Sequence, residues 1–298
     1  MQLKMAEVAL ELGSPVLGSL RESNDALSDA KALQMRMAED GYLLLRGVQR
    51  RENVEQTRRF LLENLAENGQ IDLDYPLVEG VIKKGARGAF MGGSKTLTRN
   101  PKFLATVESE EIMNLFELFL EAPVLTFDYK WLRLIGQGDF SGAHYDMPYM
   151  GRGTRNVYTC WTPLGDTTYD MGPLVILEDS HKSPAMERVR QTYGKMDVDR
   201  DHVTGAFSND PLEMIERYGG RWLTSEFEMG DVLIFDMFTM HGSLTNTSNR
   251  FRISTDTRYQ RAGEPADERW MGADPIAHYA WMEGKTVTME EARKTWEV

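Results

Sequence analysis

The chain has 298 residues, of which 41% are hydrophobic and 27% are charged, a composition typical of a globular protein. Acidic residues outnumber basic ones by 46 to 34, and the net charge of -12 argues against nucleic acid or an anionic membrane surface as a partner. The single cysteine, Cys160, excludes an internal disulfide, and neither a signal-peptide pattern nor a membrane-length apolar run is present, so we predict a cytoplasmic protein.

The first part of the chain is predicted to be mainly helical. Residues up to about 20 are weakly patterned, and we expect them to lie on the surface. Three later segments carry apolar residues at helical spacing, and the first of them is followed by Gly41, a typical helix stop. The predicted helices are Ser28–Asp40, Arg51–Glu67 and Glu108–Leu120, and a short strand is predicted at Tyr42–Arg46. Residues 70–107 are predicted to be loop-rich.

From residue 124 onward, strands dominate the prediction. These segments are rich in β-branched and aromatic residues and are separated by glycine or proline. They are Val124–Ile135, Arg155–Leu164, Pro173–Glu178, Leu223–Glu228, Asp231–Asp236 and Phe251–Gln260. Because most of them have no helix between them, a parallel sheet with helical crossovers is disfavoured, and an antiparallel barrel or jelly roll is favoured.

Two further segments complete the predicted architecture. Residues 182–220 form an insertion with a helix at Pro211–Tyr218, and residues 261–298 form a C-terminal extension. A helix is predicted at Thr288–Trp296, where Thr288 and Glu291 have the spacing of a capping box. No repeat or linker divides the chain. We therefore predict a mainly β fold with flanking helices, in which residues 1–298 are a single domain.

The most informative motif is His144-Tyr145-Asp146. In an extended strand, residues i and i+2 point to the same face, so this spacing can present an imidazole beside a carboxylate. A further candidate ligand, His241, follows the apolar strand Asp231–Asp236 and precedes a glycine. Two histidines and one carboxylate form a facial triad that leaves three positions of Fe(II) open. Of the other histidines, His181 is expected to hold a turn, and His202 and His278 are expected to be solvated.

Arg252, eleven residues after His241, is the candidate anchor for a cosubstrate. It lies between Phe251 and Ile253, and these apolar neighbours favour an inward-facing side chain. A buried guanidinium requires an anion, and its planar fork matches a carboxylate. Ser243 and Ser254 could add hydroxyl groups to that site. Trp161 could add an aromatic wall, although a core position explains this tryptophan more simply.

Together these residues resemble the phytanoyl-CoA dioxygenase-like family of Fe(II)/2-oxoglutarate oxygenases. The resemblance covers most of residues 41–260, with matching order and spacing. It is carried by the segments GYLLLRG (41–47), AHYD (143–146), CWTPL (160–164), GPL (172–174), SHK (180–182), HGS (241–243) and NTSNRFR (246–252). Two places depart from the family pattern, Met171 where Asn is frequent and Glu178-Asp179 where Pro-Gly is usual. Neither belongs to the proposed metal ligands.

The resemblance implies both a fold and a chemistry. The fold is a double-stranded β-helix, a jelly-roll core of the cupin type. His144, Asp146 and His241 would hold Fe(II), and Arg252 would bind the distal carboxylate of 2-oxoglutarate. Ser243 and Trp161 also lie where family members contact that cosubstrate. The implied reaction uses dioxygen, releases succinate and CO2, and oxidises an unactivated C–H bond. Because Asp146 is present, hydroxylation or a related oxidation is expected in place of halogenation.

Other functions are compatible with parts of this pattern. A non-catalytic jelly-roll module that binds a small molecule or a metal is one alternative, and a metal-dependent hydrolase or isomerase on a cupin-like barrel is another. The triad and Arg252 argue against the module, because a binding protein does not need open metal positions. The stretch at 88–96 resembles a phosphate loop but carries an extra serine and has no clear preceding strand, so nucleotide binding is not predicted.

The substrate is expected to be a small molecule, and the sequence does not identify it. Basic residues that could meet an anionic substrate are more simply explained as a solvated surface; they are Lys83, Lys84, Arg87, Lys95, Arg99 and Arg152. The oligomeric state, the site of oxidation and the roles of residues 70–107, 182–220 and 261–298 are not determined by the sequence.

Overall fold

The computed structural model describes residues 1–91 and 94–298. The phosphate-loop-like stretch at 88–96 therefore includes two residues outside the described ranges. The α-helices are α1 (Ala30–Asp40), α2 (Arg51–Glu67), α3 (Lys95–Thr98), α4 (Pro101–Val107), α5 (Glu110–Leu120), α6 (Met147–Met150), α7 (Glu187–Gln191), α8 (Val198–Asp201), α9 (Pro211–Tyr218) and α10 (Met289–Trp296). Every helix in the described ranges is too short or too polar to cross a lipid bilayer.

Within residues 1–91 and 94–298, the strands form two main sheets and two small ones. They are β1 (Gln2–Met5), β2 (Val8–Glu11), β3 (Leu17–Ser19), β4 (Tyr42–Leu45), β5 (Ala89–Phe90), β6 (Val124–Thr126), β7 (Trp131–Ile135), β8 (Tyr158–Pro163), β9 (Leu174–Leu177), β10 (Val203–Thr204), β11 (Trp222–Thr224), β12 (Val232–Asp236), β13 (His241–Ser243), β14 (Arg252–Arg261) and β15 (Val287–Thr288). Among the described residues, the larger sheet has the order β4-β12-β8-β14-β7-β5, with β6 also on β14, and the smaller main sheet has the order β13-β9-β11-β3.

The two main sheets enclose the apolar centre of the molecule. Leu174, Ile176 and Leu223 from the smaller sheet pack in one cluster with Trp161 and Phe235 from the larger sheet. The other face of the larger sheet is covered by helices, because alternate residues of a strand point to opposite sides. On β14, for example, Ile253 packs with residues of α2 and Tyr259 packs with residues of α5. The predicted mainly β core with flanking helices is confirmed.

Local signals set the first helix as predicted. Asp29 caps the start of α1, since its carboxylate accepts hydrogen bonds from the backbone N–H of Lys31 and Ala32. Gly41 ends α1 with a φ of 77°, a conformation that glycine adopts most readily. A side chain at this position would also place a Cβ 2.4 Å from Nδ1 of His181. His181 thus packs against the end of α1, where its Nε2 donates to the carbonyl of Ala38.

The N-terminal prediction was wrong. The segment up to about residue 20 forms β1, β2 and β3, and its side chains Leu3, Leu10 and Leu17 are buried. Strand β3 extends the smaller main sheet by pairing parallel with β11, so that Leu17 lies opposite Trp222. A strand whose partner is this distant in sequence leaves little local pattern, which explains why β3 was missed, whereas β1 and β2 pair locally with each other.

Three other predictions need smaller corrections. Residues 70–107, predicted to be loop-rich, include the short helices α3 and α4. The segment Val124–Ile135 is interrupted between β6 and β7, and Leu223–Glu228 is a strand only as far as Thr224. In the two strand segments the apolar composition was read correctly, but the chain turns earlier than the composition indicates.

The 182–220 insertion and the C-terminal extension are joined by one buried carboxylate. Asp199, on α8, accepts hydrogen bonds through Oδ1 from the backbone N–H groups of Tyr279, Ala280 and Trp281. Its Oδ2 accepts from Nη1 of Arg269 at 2.7 Å and from Nδ1 of His278 at 3.0 Å. These contacts outweigh the effect of burial, which alone would raise the pKa of Asp199, and hold that pKa below its usual value.

We expect Asp199→Ala to destabilise the protein by about 1–3 kcal/mol, because Nη1 of the buried Arg269 would lose its acceptor, although Arg269 keeps its ion pair with Asp267. The backbone of residues 279–281 would also lose its acceptor, so limited proteolysis should cut this segment faster than in the parent. The matched control is Glu283→Ala, which removes an exposed carboxylate from the same segment. Equal unfolding free energies for the two variants would contradict this account.

Candidate metal centre

A two-residue bridge brings the two predicted histidine ligands together. His241 is the first residue of β13, and His144 forms an antiparallel bridge with it. The backbone N–H of His144 donates to the carbonyl of His241 at 2.9 Å, and the reverse bond is 3.1 Å long. The two imidazole rings consequently lie with their centroids 4.2 Å apart.

Asp146 reaches the histidines from a turn. The sequence predicted that His144 and Asp146 share one face of an extended strand, and this local geometry is wrong: Asp146 has helical backbone angles and immediately precedes α6. Its Oδ1 nevertheless lies 3.9 Å from Nε2 of both His144 and His241. Within the described residues, these three side chains are the group whose ligand atoms all lie within 4.8 Å of one another.

Both histidines are oriented for metal binding by a hydrogen bond from Nδ1 to the backbone carbonyl two residues earlier. Nδ1 of His144 donates to the carbonyl of Gly142, and Nδ1 of His241 donates to the carbonyl of Thr239, each at 2.9 Å. A protonated Nδ1 leaves the lone pair on Nε2, the atom that faces Asp146. Burial, followed by the neighbouring His241, lowers the pKa of His144 to about 3, and burial also lowers the pKa of His241. Both rings are therefore neutral, as metal ligation requires.

Asp146 is ionised although it is buried. Burial alone would raise the pKa of this carboxyl, but the positive charge of Arg258 and the hydrogen bond from Thr159 hold it well below its usual value. Nη2 of Arg258 donates to Oδ2 at 2.9 Å, and the hydroxyl of Thr159 donates to the same oxygen. Two neutral imidazoles and one carboxylate are a donor set suited to a divalent iron ion.

Arg252 is buried without a carboxylate partner. Only 1% of the residue is exposed, and no carboxylate of a described residue forms a salt bridge with it. Its Nη1 donates to the hydroxyl of Ser254 at 2.9 Å, while its Nε has no acceptor. Burial, with a smaller contribution from Arg133, lowers the pKa of Arg252 to about 9. A carboxylate supplied by a ligand would therefore stabilise this buried guanidinium.

Trp161 stands beside Arg252. The guanidinium carbon lies 5.7 Å from the centre of the tryptophan ring, and Trp161 Nε1 is buried with no acceptor. A cavity joins the two side chains to the histidines; its other walls are Arg133, Ser141, Leu174, Phe235 and Asp256. Its volume is only about 20 Å³, so the lining side chains must move apart for a five-carbon dicarboxylate to enter. The chemistry of the lining residues fits such a ligand.

Ser243 occupies a supporting position. It is fully buried in β13, and its hydroxyl accepts a hydrogen bond from the backbone N–H of Ser141 at 2.9 Å. Ser141 lines the cavity, and Ser243 is not among its lining residues. A wider groove of about 820 Å³, walled by Phe207, Met289 and Arg293, contains none of the predicted site residues.

Two of the remaining histidines are not solvated as the sequence predicted: His202 is half-buried, with its Nδ1 buried, and His278 is half-buried as well. The ring of His278 contacts Trp270, Tyr149 and Trp281 at centroid distances of 4.8, 5.9 and 5.8 Å. The expectation that these two histidines are solvated was therefore wrong. Tyr149 in turn contacts the ring of His144 edge-on at 5.9 Å, so the C-terminal extension approaches the metal centre through aromatic packing.

Four residues of the centre were missed by the sequence analysis: Arg258, Asp256, Arg133 and Thr159. Arg133 donates to both oxygens of Asp256, at 2.7 and 2.9 Å, and Asp256 also accepts from Arg258. The signal was present in the sequence, since positions 252, 254, 256 and 258 of β14 alternate onto one face and three of them are charged. Charged residues at alternate positions of a central strand indicate a polar interior.

Comparison with known proteins identifies the family of the chain. A family model described as phytanoyl-CoA dioxygenase matches residues 37–254. A 1-deoxypentalenic acid 11-beta-hydroxylase from Streptomyces exfoliatus is 26% identical over 253 residues, which cover 79% of this chain and 83% of that protein. The corresponding hydroxylase of Streptomyces arenae is 27% identical over 251 residues, with the same coverage.

Solved structures share the fold at low sequence identity. EctD from S. alaskensis, solved with 2-oxoglutarate and 5-hydroxyectoine, has a TM-score of 0.55 at 19% identity and covers 93% of this chain and 94% of its own. HygX from Streptomyces hygroscopicus, solved with nickel and 2-oxoglutarate, has a TM-score of 0.54 at 14% identity, covering 88% of this chain and 96% of its own. At identities this low, the structural similarity shows the fold alone. The fold is the double-stranded β-helix that the sequence predicts.

Proposed function

The chain belongs to the phytanoyl-CoA dioxygenase family, and on that premise we propose how this Fe(II)- and 2-oxoglutarate-dependent hydroxylase uses its site. His144, Asp146 and His241 hold the Fe(II), and Arg252 holds the distal carboxylate of 2-oxoglutarate. The substrate is a small organic molecule that is oxidised at an unactivated C–H bond, with dioxygen as the oxidant. The alternative of a non-catalytic jelly-roll module is not favoured.

The observation that carries this proposal is that a group of three metal-ligand atoms and a buried arginine without a carboxylate partner among the described residues lie at one cavity. Three donor atoms lie within 4.8 Å of one another, and a buried guanidinium with no carboxylate partner lies in the same cavity wall. A metal ion would complete the first group, and a dicarboxylate would complete the second. A structural role alone does not account for Arg252, because its buried Nε and the neighbouring Trp161 Nε1 have no hydrogen-bond acceptor among the described residues.

Each side chain has a separate task in this scheme. The carbonyls of Gly142 and Thr239 keep the proton of each imidazole on Nδ1, so that Nε2 is available to the metal. Asp146 stays ionised beside Arg258 and supplies a negative charge that a third histidine would not. Arg252 binds and orients the cosubstrate, and the unpartnered Trp161 Nε1 is a second donor for its carboxylate.

When bound, Fe(II) and 2-oxoglutarate supply the oxidising chemistry, in which dioxygen is consumed, 2-oxoglutarate is converted to succinate and CO2, and one oxygen atom enters the substrate. The chain's own contribution is to position these groups and to exclude water. Leu174 and Phe235 form the apolar part of the cavity wall, so competing access by water is limited on that side. The charge balance favours an anionic ligand, since Arg133 and Arg258 pair with Asp256 and Asp146, whereas Arg252 forms no salt bridge with a carboxylate of a described residue.

The substrate class is proposed from the relatives. The two matched hydroxylases are named for the oxidation of an organic acid, which supports a small molecule as the substrate here. Identities of 26% and 27% do not carry the particular acid to this chain. We also propose that residues 1–298 act as one domain, supported by the pairing of β3 with β11 and by the contacts of Asp199 with residues 278–281.

The test is metal-dependent turnover of 2-oxoglutarate by the purified protein. With Fe(II), ascorbate and air, we expect slow succinate release even without a substrate, and faster release when a substrate is found in a panel of organic acids. Zn(II) should compete with Fe(II) and give no succinate. Activity with Zn(II) and none with Fe(II) would contradict the proposal and favour a metal-dependent hydrolase or isomerase.

A further inference from the structure

The two oxygens of Asp146 have different surroundings. Oδ1 faces the histidines, at 3.9 Å from both Nε2 atoms. Oδ2 is occupied by two donors, Nη2 of Arg258 at 2.9 Å and the hydroxyl of Thr159. Only Oδ1 is therefore available to a metal ion. A carboxylate can bind a metal through one oxygen or through both, and here the second oxygen is held elsewhere.

Arg258 is fixed by contacts of its own. The residue is 1% exposed, and its Nη1 donates to the backbone carbonyl of Asp256 at 2.7 Å and to Oδ2 of the same residue at 2.8 Å. Its guanidinium carbon lies 4.3 Å from the centre of the Trp131 ring, a cation–π distance. Arg133 holds Asp256 from the other side with two further hydrogen bonds. Arg258 thus presents Nη2 to Asp146 from a rigid frame.

The strand register places both donors side by side. On adjacent antiparallel strands, Arg258 of β14 lies directly opposite Thr159 of β8. Residues opposite each other in such a ladder have neighbouring side chains on the same face. The face that carries Arg252 at one end of β14 therefore carries, six residues later, the residue that holds the metal-binding carboxylate.

We propose that Arg258 is a positioning residue: together with Thr159 it restricts Asp146 to a single metal bond through Oδ1. This inference rests on the proposed function of the site. Its consequence is that three metal positions stay open, two for the chelating cosubstrate and one for dioxygen. Without Arg258, Oδ2 could rotate into the metal shell and occupy the third position. Charge-assisted hydrogen bonds to the second carboxylate oxygen are the ordinary means of fixing a ligand in this way.

The test compares binding of 2-oxoglutarate with binding of nitric oxide, a stable probe for the dioxygen position. Fe(II)-loaded protein is titrated anaerobically with 2-oxoglutarate by visible absorption and then with nitric oxide by electron paramagnetic resonance. In Arg258→Met we expect the 2-oxoglutarate band to persist and the nitric oxide affinity to fall by about 10- to 100-fold, the range in which loss of a contact to a metal ligand typically changes metal affinity or activity. Arg258→Lys, which keeps the charge and one donor, should recover part of that affinity.

Two controls separate positioning from stability. Arg269→Lys alters an arginine that is equally buried but pairs with Asp199 and Asp267, so it should lower the melting temperature and leave both titrations unchanged. If Arg258→Met does not fold, Thr159→Val removes the other donor to Oδ2, and a smaller loss of nitric oxide affinity is expected there. Parent-like nitric oxide affinity in folded Arg258→Met, or in Thr159→Val if that is the variant obtained, would overturn the inference. Absence of the 2-oxoglutarate band in the parent would instead overturn the proposed function.

Discussion

Replacing Asp146 with alanine is expected to abolish the 2-oxoglutarate-dependent formation of succinate. The variant loses one of three metal ligands and the negative charge that offsets the metal. We expect a fall of at least about 1000-fold, which corresponds to roughly 4 kcal/mol of lost transition-state stabilisation. Fe(II) affinity, measured by equilibrium dialysis, should fall with it, because the effect lies in metal binding.

The fold should survive this change. Arg258 loses its contact with Asp146 but retains two hydrogen bonds to Asp256, so no buried charge is left alone. Asp146→Asn is the more conservative form, since it keeps the size of the side chain and removes the charge. Asp74→Asn, at an exposed carboxylate outside the site, is the matched control and should behave as the parent. Succinate formation within tenfold of the parent in folded Asp146→Ala would refute the ligand assignment.

Arg252→Met is expected to weaken 2-oxoglutarate binding by about 100-fold or more, since removing one partner of a buried charge pair typically costs about 2–5 kcal/mol. We expect the substitution to reduce 2-oxoglutarate affinity without reducing the stability of the ligand-free protein. Without the cosubstrate, Arg252 is a buried cation that forms no salt bridge with a carboxylate of the described ranges, and burial lowers its pKa to about 9. Replacing it with an apolar side chain of similar length should leave the melting temperature unchanged or raise it.

Saturating 2-oxoglutarate should then raise the melting temperature of the Fe(II)-loaded parent and not that of Arg252→Met. Arg250→Met is the matched control, because Arg250 lies two residues earlier, is exposed and pairs with Glu79. A parent-like thermal shift in Arg252→Met would show that another group anchors the cosubstrate. A lower melting temperature without ligand would indicate that Arg252 has a structural role.

The sequence predicts elements well where the signal is local. Helix α2 has the predicted bounds, and α1 ends at the predicted Gly41, because periodicity and capping are encoded within the segment itself. The residues His144, Asp146, His241 and Arg252 were also identified, since the motifs that carry them have fixed spacing. The structure brings the first three together and places Arg252 in the wall of the same cavity.

What the sequence did not reveal depends on distant partners. Strand β3 was missed because it exists only by pairing with β11, and His278 was misjudged because its neighbours are Trp270 and Tyr149 from other segments. The turn at Asp146 also differs from the predicted strand, although the carboxylate reaches the same place. Arg258, in contrast, could have been identified from the sequence. It alternates with Arg252 along β14, so a polar interior between the sheets would have placed both arginines on the inner face.

The central claim is that one site binds Fe(II) through the His144 triad and 2-oxoglutarate through Arg252. The most direct measurement is an anaerobic visible absorption titration of the Fe(II)-loaded protein with 2-oxoglutarate, run beside His241→Ala and the control His202→Asn. We predict a weak metal-to-ligand charge-transfer band in the parent and in His202→Asn, and none in His241→Ala. No band in folded, iron-loaded parent protein would contradict the account.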